Sequence, residues 1–268
     1  MAALARTINL AGAAWKYLLA AAERPGQFPR ALWMIAKGVN PGHYFKLNSP
    51  WIRQAGIRTV LDIGAHRGEF SSAIRVLLPQ AQVYAFEPLP ECSGELARRF
   101  GAGGSFQAFP VAIGATHHRI TMWRSSYAKS SSVLPMADLH KDSFPWSAGT
   151  MPITVEMRAL DEYLDQLKLE EKVLLKIDVQ GYEAQVLKGA TELLKRVAYV
   201  LLEVSFQPLY EGQGAFPEIH AFLQSAGFSY SGNLEQLLSP LDGSVLQADA
   251  LFVRQPRKPP RGTQRFCE

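Results

Sequence analysis

The sequence predicts an α/β fold built on an open, mostly parallel sheet, and three observations carry that prediction. TVLDIGAHRG at residues 59–68 is an apolar run that turns abruptly on glycine, and VYAFEP at residues 83–88 is a second apolar run ending in an acid. Strand-like and helix-like segments then alternate as far as Val253. An apolar strand, a glycine turn and an acid-ended second strand are how an open α/β sheet presents a nucleoside-like cofactor.

Residues 4–22 carry Ile8, Leu10, Trp15, Leu18 and Leu19 at helical spacing, interrupted by Arg6 and Lys16. Residues 28–38 repeat the pattern with Phe28, Leu32, Trp33 and Ile35 beside Arg30 and Lys37. No run reaches the roughly 18 uninterrupted apolar residues of a membrane span, and Lys16 inside the apolar stretch disfavours a signal peptide. Residues 1–50 therefore read as a basic amphipathic helical extension. It is expected to form a lid or a dimer face, with contact to an anionic membrane surface as the alternative. The main domain is expected over 51–254, followed by a basic, Pro-rich tail at 255–268.

Within the domain, strands are expected over 59–63, 82–86, 104–108, 173–178 and 198–204, and helices over 69–78, 91–100, 159–166, 182–188 and 216–226. Thr59, Val60, Leu61 and Ile63 make both faces of the first strand apolar, the mark of a buried parallel strand. Gly64 can take positive φ and lets backbone approach a ligand, and Gly68 lets the next helix pack tightly. Glu87 follows roughly 20 residues after the turn, where an acid accepts the hydroxyl hydrogen bonds of a ribose. Between Met122 and Pro152 the pattern fails: Ser125, Ser126, Ser130, Ser131, Ser132 and Ser143 lie among Trp123, Tyr127, Phe144 and Trp146. This insertion is read as lining an acceptor pocket in part, the alternative being a disordered surface loop.

The glycine pattern discriminates between cofactors. A dinucleotide site needs G-x-G-x-x-G to seat a pyrophosphate, and here Asp62 holds the first glycine position. A carboxylate repels pyrophosphate but suits a ligand with an ammonium group, and D-x-G-A-x-x-G resembles the glycine motif of Rossmann-like methyltransferases that use S-adenosylmethionine. The segment KIDVQGYEAQVLKGA at residues 176–190 narrows this, because it resembles the signature of the FkbM-family methyltransferases, written KIDVEGxExxVLxGA. Only Gln180 departs from that wording. The resemblance extends over about 60–253 through AFEP at 85–88, VAIG at 111–114 and LLEVSF at 201–206, and Pro110 stands where the family often has Asn.

The resemblance implies a class I methyltransferase fold: a seven-stranded, mostly parallel sheet with one antiparallel strand, in which residues 229–231 and 248–253 form the closing antiparallel pair. It also implies methyl transfer from S-adenosylmethionine, commonly to a sugar or polyketide hydroxyl. Asp62, Gly64, Ala65, His66, Gly68, Glu87 and Pro88 are the cofactor-binding candidates. Asp178, at the end of the fourth strand, is the candidate base for the acceptor proton, because a hydroxyl is a poor nucleophile at neutral pH; the competing reading is that it caps the following helix. Ser131, Ser132, Glu183 and Glu203 are the acceptor-side candidates.

Composition sets the outer limits. At 268 residues and 47% hydrophobic content, one sizeable α/β domain with terminal extensions is expected. The net charge of +4 is uneven: residues 1–50 hold six Lys/Arg against one acid, and residues 254–268 hold five against one. The stretch between is acidic, which argues against a nucleic-acid partner. Cys92 and Cys267 give neither a disulfide framework nor a metal cluster, so a cytoplasmic setting is expected, with peripheral contact at the inner membrane face left open. His117 and His118 lack metal-pair spacing, while a divalent cation on Asp178 and a second carboxylate stays an alternative. The expected acceptor is a small molecule, a sugar or a glycolipid, and a homo-oligomer is left open. The alternatives to O-methylation are a nitrogen, protein or RNA acceptor, and a nonenzymatic protein that binds S-adenosylmethionine.

Overall fold

The structure, a computed structural model, describes residues 28–101 and 104–256. The apolar segment at 4–22, the tail from residue 257 onward and Cys267 lie outside the described residues. Three short helices lead into the domain: α1 (Phe28–Ala36), α2 (Pro41–Leu47) and α3 (Pro50–Gln54). The last two begin on proline, whose missing N–H has no intrahelical partner at a first helical position anyway. Asn40 caps α2 by accepting the Gly42 N–H at 2.8 Å.

The alternation that follows is β1 (Thr59–Ile63), α4 (Glu69–Leu77), β2 (Gln82–Phe86), α5 (Pro90–Phe100), β3 (Phe106–Phe109), β4 (Ala112–Gly114), β5 (His118–Ser125), α6 (Asp138–Ser143) and β6 (Thr150–Ala159). It continues with β7 (Val173–Ile177), α7 (Glu183–Lys188), α8 (Thr191–Leu194), β8 (Val197–Ser205), α9 (Phe216–Ser225), β9 (Phe228–Leu238) and β10 (Val245–Arg254). Seven strands form one sheet in the order β3-β2-β1-β7-β8-β10-β9. All pairings from β3 to β8 are parallel, and β10 is antiparallel to both neighbours. This is the class I methyltransferase topology that the resemblance implies.

The core follows the two-residue period of the central strands. Leu61, Ile63, Tyr84, Phe86, Leu175 and Ile177 meet α7, α8 and α9 on one face, while Val60, Val83, Ala85 and Leu174 meet α1 to α4 on the other. β1 and β7 are buried along their whole length, as strands covered by helices on both faces must be.

Three expectations need correction. The helix expected over 159–166 is absent: β6 runs to Ala159, and only a 3-10 turn, Leu160–Tyr163, follows. Leu160, Tyr163 and Leu167 are buried and mimic helical spacing, but the alternation of buried Val155 and Met157 with exposed Glu156 continues a strand that pairs with β5. The insertion is therefore rooted in a second, three-stranded sheet ordered β4-β6-β5, which packs Met122, Val155 and Met157 against Leu89 and Cys92. The closing pair is also far longer than the short segments expected, because β9 beyond Leu234 is exposed on both faces and leaves no periodic signal.

Gly189, just after α7, joins the two sheets: a Cβ there would stand 1.9 Å from the Gly114 carbonyl oxygen at the end of β4. Gly189→Ala is expected to lower unfolding stability by at least about 2 kcal/mol. Urea denaturation should show a lower midpoint with an unchanged slope.

Candidate active site

The site is built where the parallel strands end. The Gly64 N–H donates to Phe86 O, the Asp178 N–H to Ile63 O and the Glu87 N–H to Phe109 O, each at 3.0 Å. The turns after β1, β2 and β7 therefore leave the sheet along one line, the place where open α/β sheets bind ligands. A cavity of about 440 Å³ opens there, within the range that holds small ligands. Phe86, Leu89, Ile113 and Met122 make its apolar wall, and Gly64, Ala65, His66, Glu87, Pro88, Ser131, Asp178 and Glu203 line it as well.

Asp62, Gly68, Ser132 and Glu183 stand behind the cavity lining and are engaged within the protein. Asp62 is fully buried, with Oδ1 3.1 Å from Lys176 Nζ and Oδ2 accepting the Ser71 hydroxyl at 2.7 Å. Its charge is matched inside the protein rather than offered to a ligand ammonium. Gly68 holds φ 80, and a Cβ there would meet Leu96 and Phe100 within 2.8 Å, so its role is helix packing. The Ser132 hydroxyl donates to Gln180 O at 2.6 Å and accepts the Leu134 N–H at 3.0 Å, which ties the insertion to the turn after β7. Glu183 Oε1 accepts the N–H groups of Val179 and Gly181 at 3.0 and 3.2 Å. Glu183 thus fastens the turn that leads from β7 into α7, and burial pushes its pKa up to about 7.

Gly64 is needed for a different reason from the one its motif suggests. At φ 74, a Cβ there would lie 1.9 Å from the Asp178 carbonyl oxygen, so the close approach is to the neighbouring turn. Lys176 completes this joint by donating to Gly64 O at 2.9 Å. Burial works to deprotonate Lys176, but Asp62 and Asp178 outweigh it and hold the ammonium above its usual range.

At the β2 end, Glu87 is buried and accepts the His66 N–H at 2.7 Å on Oε2 and the Leu89 N–H at 2.9 Å on Oε1. Burial raises its pKa, and the two amides oppose that. Each carboxylate oxygen still has a free lone pair, enough to receive the two hydroxyls of a ribose. His66 sits at φ 48 with Nδ1 3.2 Å from both Glu69 oxygens, and its buried Nε2 has no partner. That orphaned nitrogen suits a polar group of a bound cofactor. Burial alone would raise Glu69, yet His66 and Lys129 drive it well below the carboxylate range.

Three further residues belong to the site: His43 and Tyr210, which carry no motif, and Gln180 of the 176–190 segment. His43, on α2, lines the cavity, and burial and the nearby Lys129 and Lys46 push it down to about 4, so it is neutral at pH 7. Tyr210 and Gln180 complete the acidic end: Gln180 Nε2 donates to Asp178 Oδ1 at 2.8 Å and to Glu203 Oε2 at 2.9 Å, and Gln180 Oε1 accepts the Tyr210 hydroxyl at 2.9 Å. Burial raises Glu203 well above the carboxylate range, and Asp178, Glu183 and Asp249 add to it. Only tertiary contact brings these groups together. Among the described residues no group of three His, Cys, Asp or Glu is arranged to hold a metal.

The model of the methyltransferase FkbM domain matches residues 62–230. The chain belongs to the FkbM methyltransferase family. It is similar to the 2-O-methyltransferase NoeI of Sinorhizobium fredii, 33% identical over 160 residues that cover 58% of this chain and 66% of that protein. It is also similar to the methyltransferase sdnD of Sordaria araneosa, 26% identical over 63% of this chain and 73% of that protein. The hexuronic acid methyltransferase AglP of Haloferax volcanii is 26% identical over 53% of this chain and 54% of that protein. S-adenosylmethionine is the cofactor expected of the family. The site fits it: Glu87 stands ready for ribose hydroxyls, the His66 ring nitrogen is open, and no phosphate seat is present on Gly64.

Asp62→Asn leaves the Lys176 ammonium buried with only the more distant Asp178 as a charge partner and is expected to cost about 3 kcal/mol of stability. Thermal melts should show Asp62→Asn combined with Lys176→Met recovering part of that loss. For Glu183, the folded pKa of about 7 lies above the ordinary 4.5, so the folded state holds this proton more tightly. Its contribution is full at low pH and is lost as pH rises from about 4.5 to about 7. Glu183→Gln keeps the acceptor without the charge. Denaturation at pH 5 and pH 8 should find the variant gaining on the wild type by about 2 kcal/mol at the higher pH.

Proposed function

We propose that the chain transfers a methyl group from S-adenosylmethionine to a hydroxyl of a sugar or glycoconjugate, with Asp178 accepting the hydroxyl proton. The observation that carries this is the position of Asp178. It opens the turn after β7 on the cavity wall, with 41% of its side chain exposed, while Asp62 is paired with Lys176 and Glu183 fastens the turn. When bound, S-adenosylmethionine supplies a methyl group on a positively charged sulfur.

The protein's share is positioning, proton transfer and exclusion of water. Glu87 and His66 hold the nucleoside end, and the apolar wall of Phe86, Leu89 and Ile113 dries the site. Asp178 Oδ takes the proton as the acceptor O–H bond breaks and the O–CH₃ bond forms. Breaking the S–CH₃ bond would leave the donor a neutral thioether, so charge would balance with the proton on Asp178. Tyr127 and Trp146 are exposed beside the cavity and offer flat faces to a sugar ring, and His43, Lys46 and Leu47 bring α2 over it from the other side. That placement supports the reading of this helix as part of a lid. The two relatives whose names mention 2-O-methylation and hexuronic acid support the choice of a sugar hydroxyl. No helix among the described residues is long and apolar enough to cross a membrane.

Calorimetric titration should show saturable binding of S-adenosylmethionine and S-adenosylhomocysteine and none of NAD. With a sugar acceptor, Asp178→Asn should keep donor affinity within a few-fold and reduce kcat by about 10²-fold or more. Unchanged turnover in that variant would remove Asp178 from the role of base.

A further inference from the structure

Gln180 is the one residue of the 176–190 segment that departs from the family wording, which has Glu there. It also sits at φ 59, in the left-handed region that side-chain-bearing residues rarely occupy. Its side chain makes three hydrogen bonds, two from Nε2 to Asp178 and Glu203 and one to Oε1 from Tyr210. Its own carbonyl accepts the Ser132 hydroxyl. A carboxamide has two N–H donors and one acceptor oxygen, each engaged here. The reverse orientation of the amide would set its oxygen against two carboxyl groups, so the chemistry of the neighbours and Tyr210 together choose one orientation.

We propose that Gln180 is a positioning residue for methyl transfer, a neutral bridge that fixes Asp178 at the cavity wall and keeps a further negative charge away from the Asp178–Glu203 pair. This rests on the reading of Asp178 as the proton acceptor. The cations facing the pair are Lys176 on β7, 3.8 Å from Asp178 Oδ2, and Lys129 from the insertion. The anions are Glu183 at the start of α7 and Asp249 on β10, the latter paired with Lys46 of α2. Lys176 is already shared with Asp62, so no unshared cation on β7 is left to neutralise another acid. A carboxylate at position 180 has the shape of the amide but no proton to give. Placed within hydrogen-bond distance of two carboxyl groups, it must take up a proton with them, and the cluster then titrates as a unit.

The test is the isosteric Gln180→Glu variant, with EDTA present so that no cation replaces the proton. Titration of the Asp178 carboxyl by ¹³C NMR, assigned through Asp178→Asn, is expected to move up by about one pH unit or more relative to wild type. The acid limb of kcat/KM should move up with it, while the affinity for S-adenosylmethionine stays within a few-fold. Superimposable titration curves and acid limbs would overturn the proposal. The NMR titration needs no acceptor, so a wild-type protein that binds the donor but methylates no sugar would defeat the proposed function and leave this question still decided. Gln180→Ala gives an independent check: loss of more than about tenfold in kcat with donor affinity retained is expected, and wild-type kcat would count against the bridge.

Discussion

The site depends on one buried ammonium. Lys176 lies in the middle of the sheet with Asp62 beside it, the Gly64 carbonyl as its hydrogen-bond acceptor and Asp178 within 4 Å. It thereby ties the ends of β1 and β7, the two central strands whose turns form the floor of the cavity. Desolvating such a pair is costly, and a hydrophobic replacement is often no less stable. What the pair supplies is placement. With Lys176 held to Gly64, the Asp178 carbonyl can come so close to Gly64 that no side chain fits between them.

Around that joint, the acids divide by what they touch. Glu87 and Glu183 each gather two backbone N–H groups and shape the turns after β2 and β7. Glu69 meets His66 and Lys129, and Asp249 meets Lys46. Asp178 alone combines a place on the cavity wall with substantial exposure and a neutral donor fixing one oxygen. A wall rich in carboxylates and poor in unpaired cations suits a cationic donor better than a phosphate-bearing one.

The additions to the sheet close the cavity from two sides. The insertion between β5 and β6 is anchored by its serines: Ser125 donates to Ser147 O at 2.6 Å, and Ser131 accepts the Ser125 N–H at 3.0 Å. Residues that look like a loose polar stretch in sequence are therefore fasteners, and they set His140, Phe144 and Trp146 against the cavity. On the other side, α2 packs on α4 through Tyr44 and Leu47 and carries His43 and Lys46 inward. The second sheet extends the domain without altering the order of the seven strands, which the long β9–β10 hairpin completes at one edge.

By itself, the sequence determined the fold class, the order of the parallel strands and the cavity-lining turn 64–66 with Glu87, because buried strands and glycine turns leave local, periodic signatures. The Lys176 to Ala190 segment likewise marked Asp178 and the family. Only the tertiary structure decided that Asp62 faces Lys176, that Glu183 fastens a turn, and that Gln180 and Tyr210 belong to the site. Those assignments depend on which residue lies across from which on separate elements, and hydrogen bonds and ion pairs between residues 23 to 114 positions apart leave no trace in local periodicity. The second sheet escaped for a related reason: β5 and β6 pair across a 24-residue insertion, so the partner that makes each a strand is remote from it in the chain.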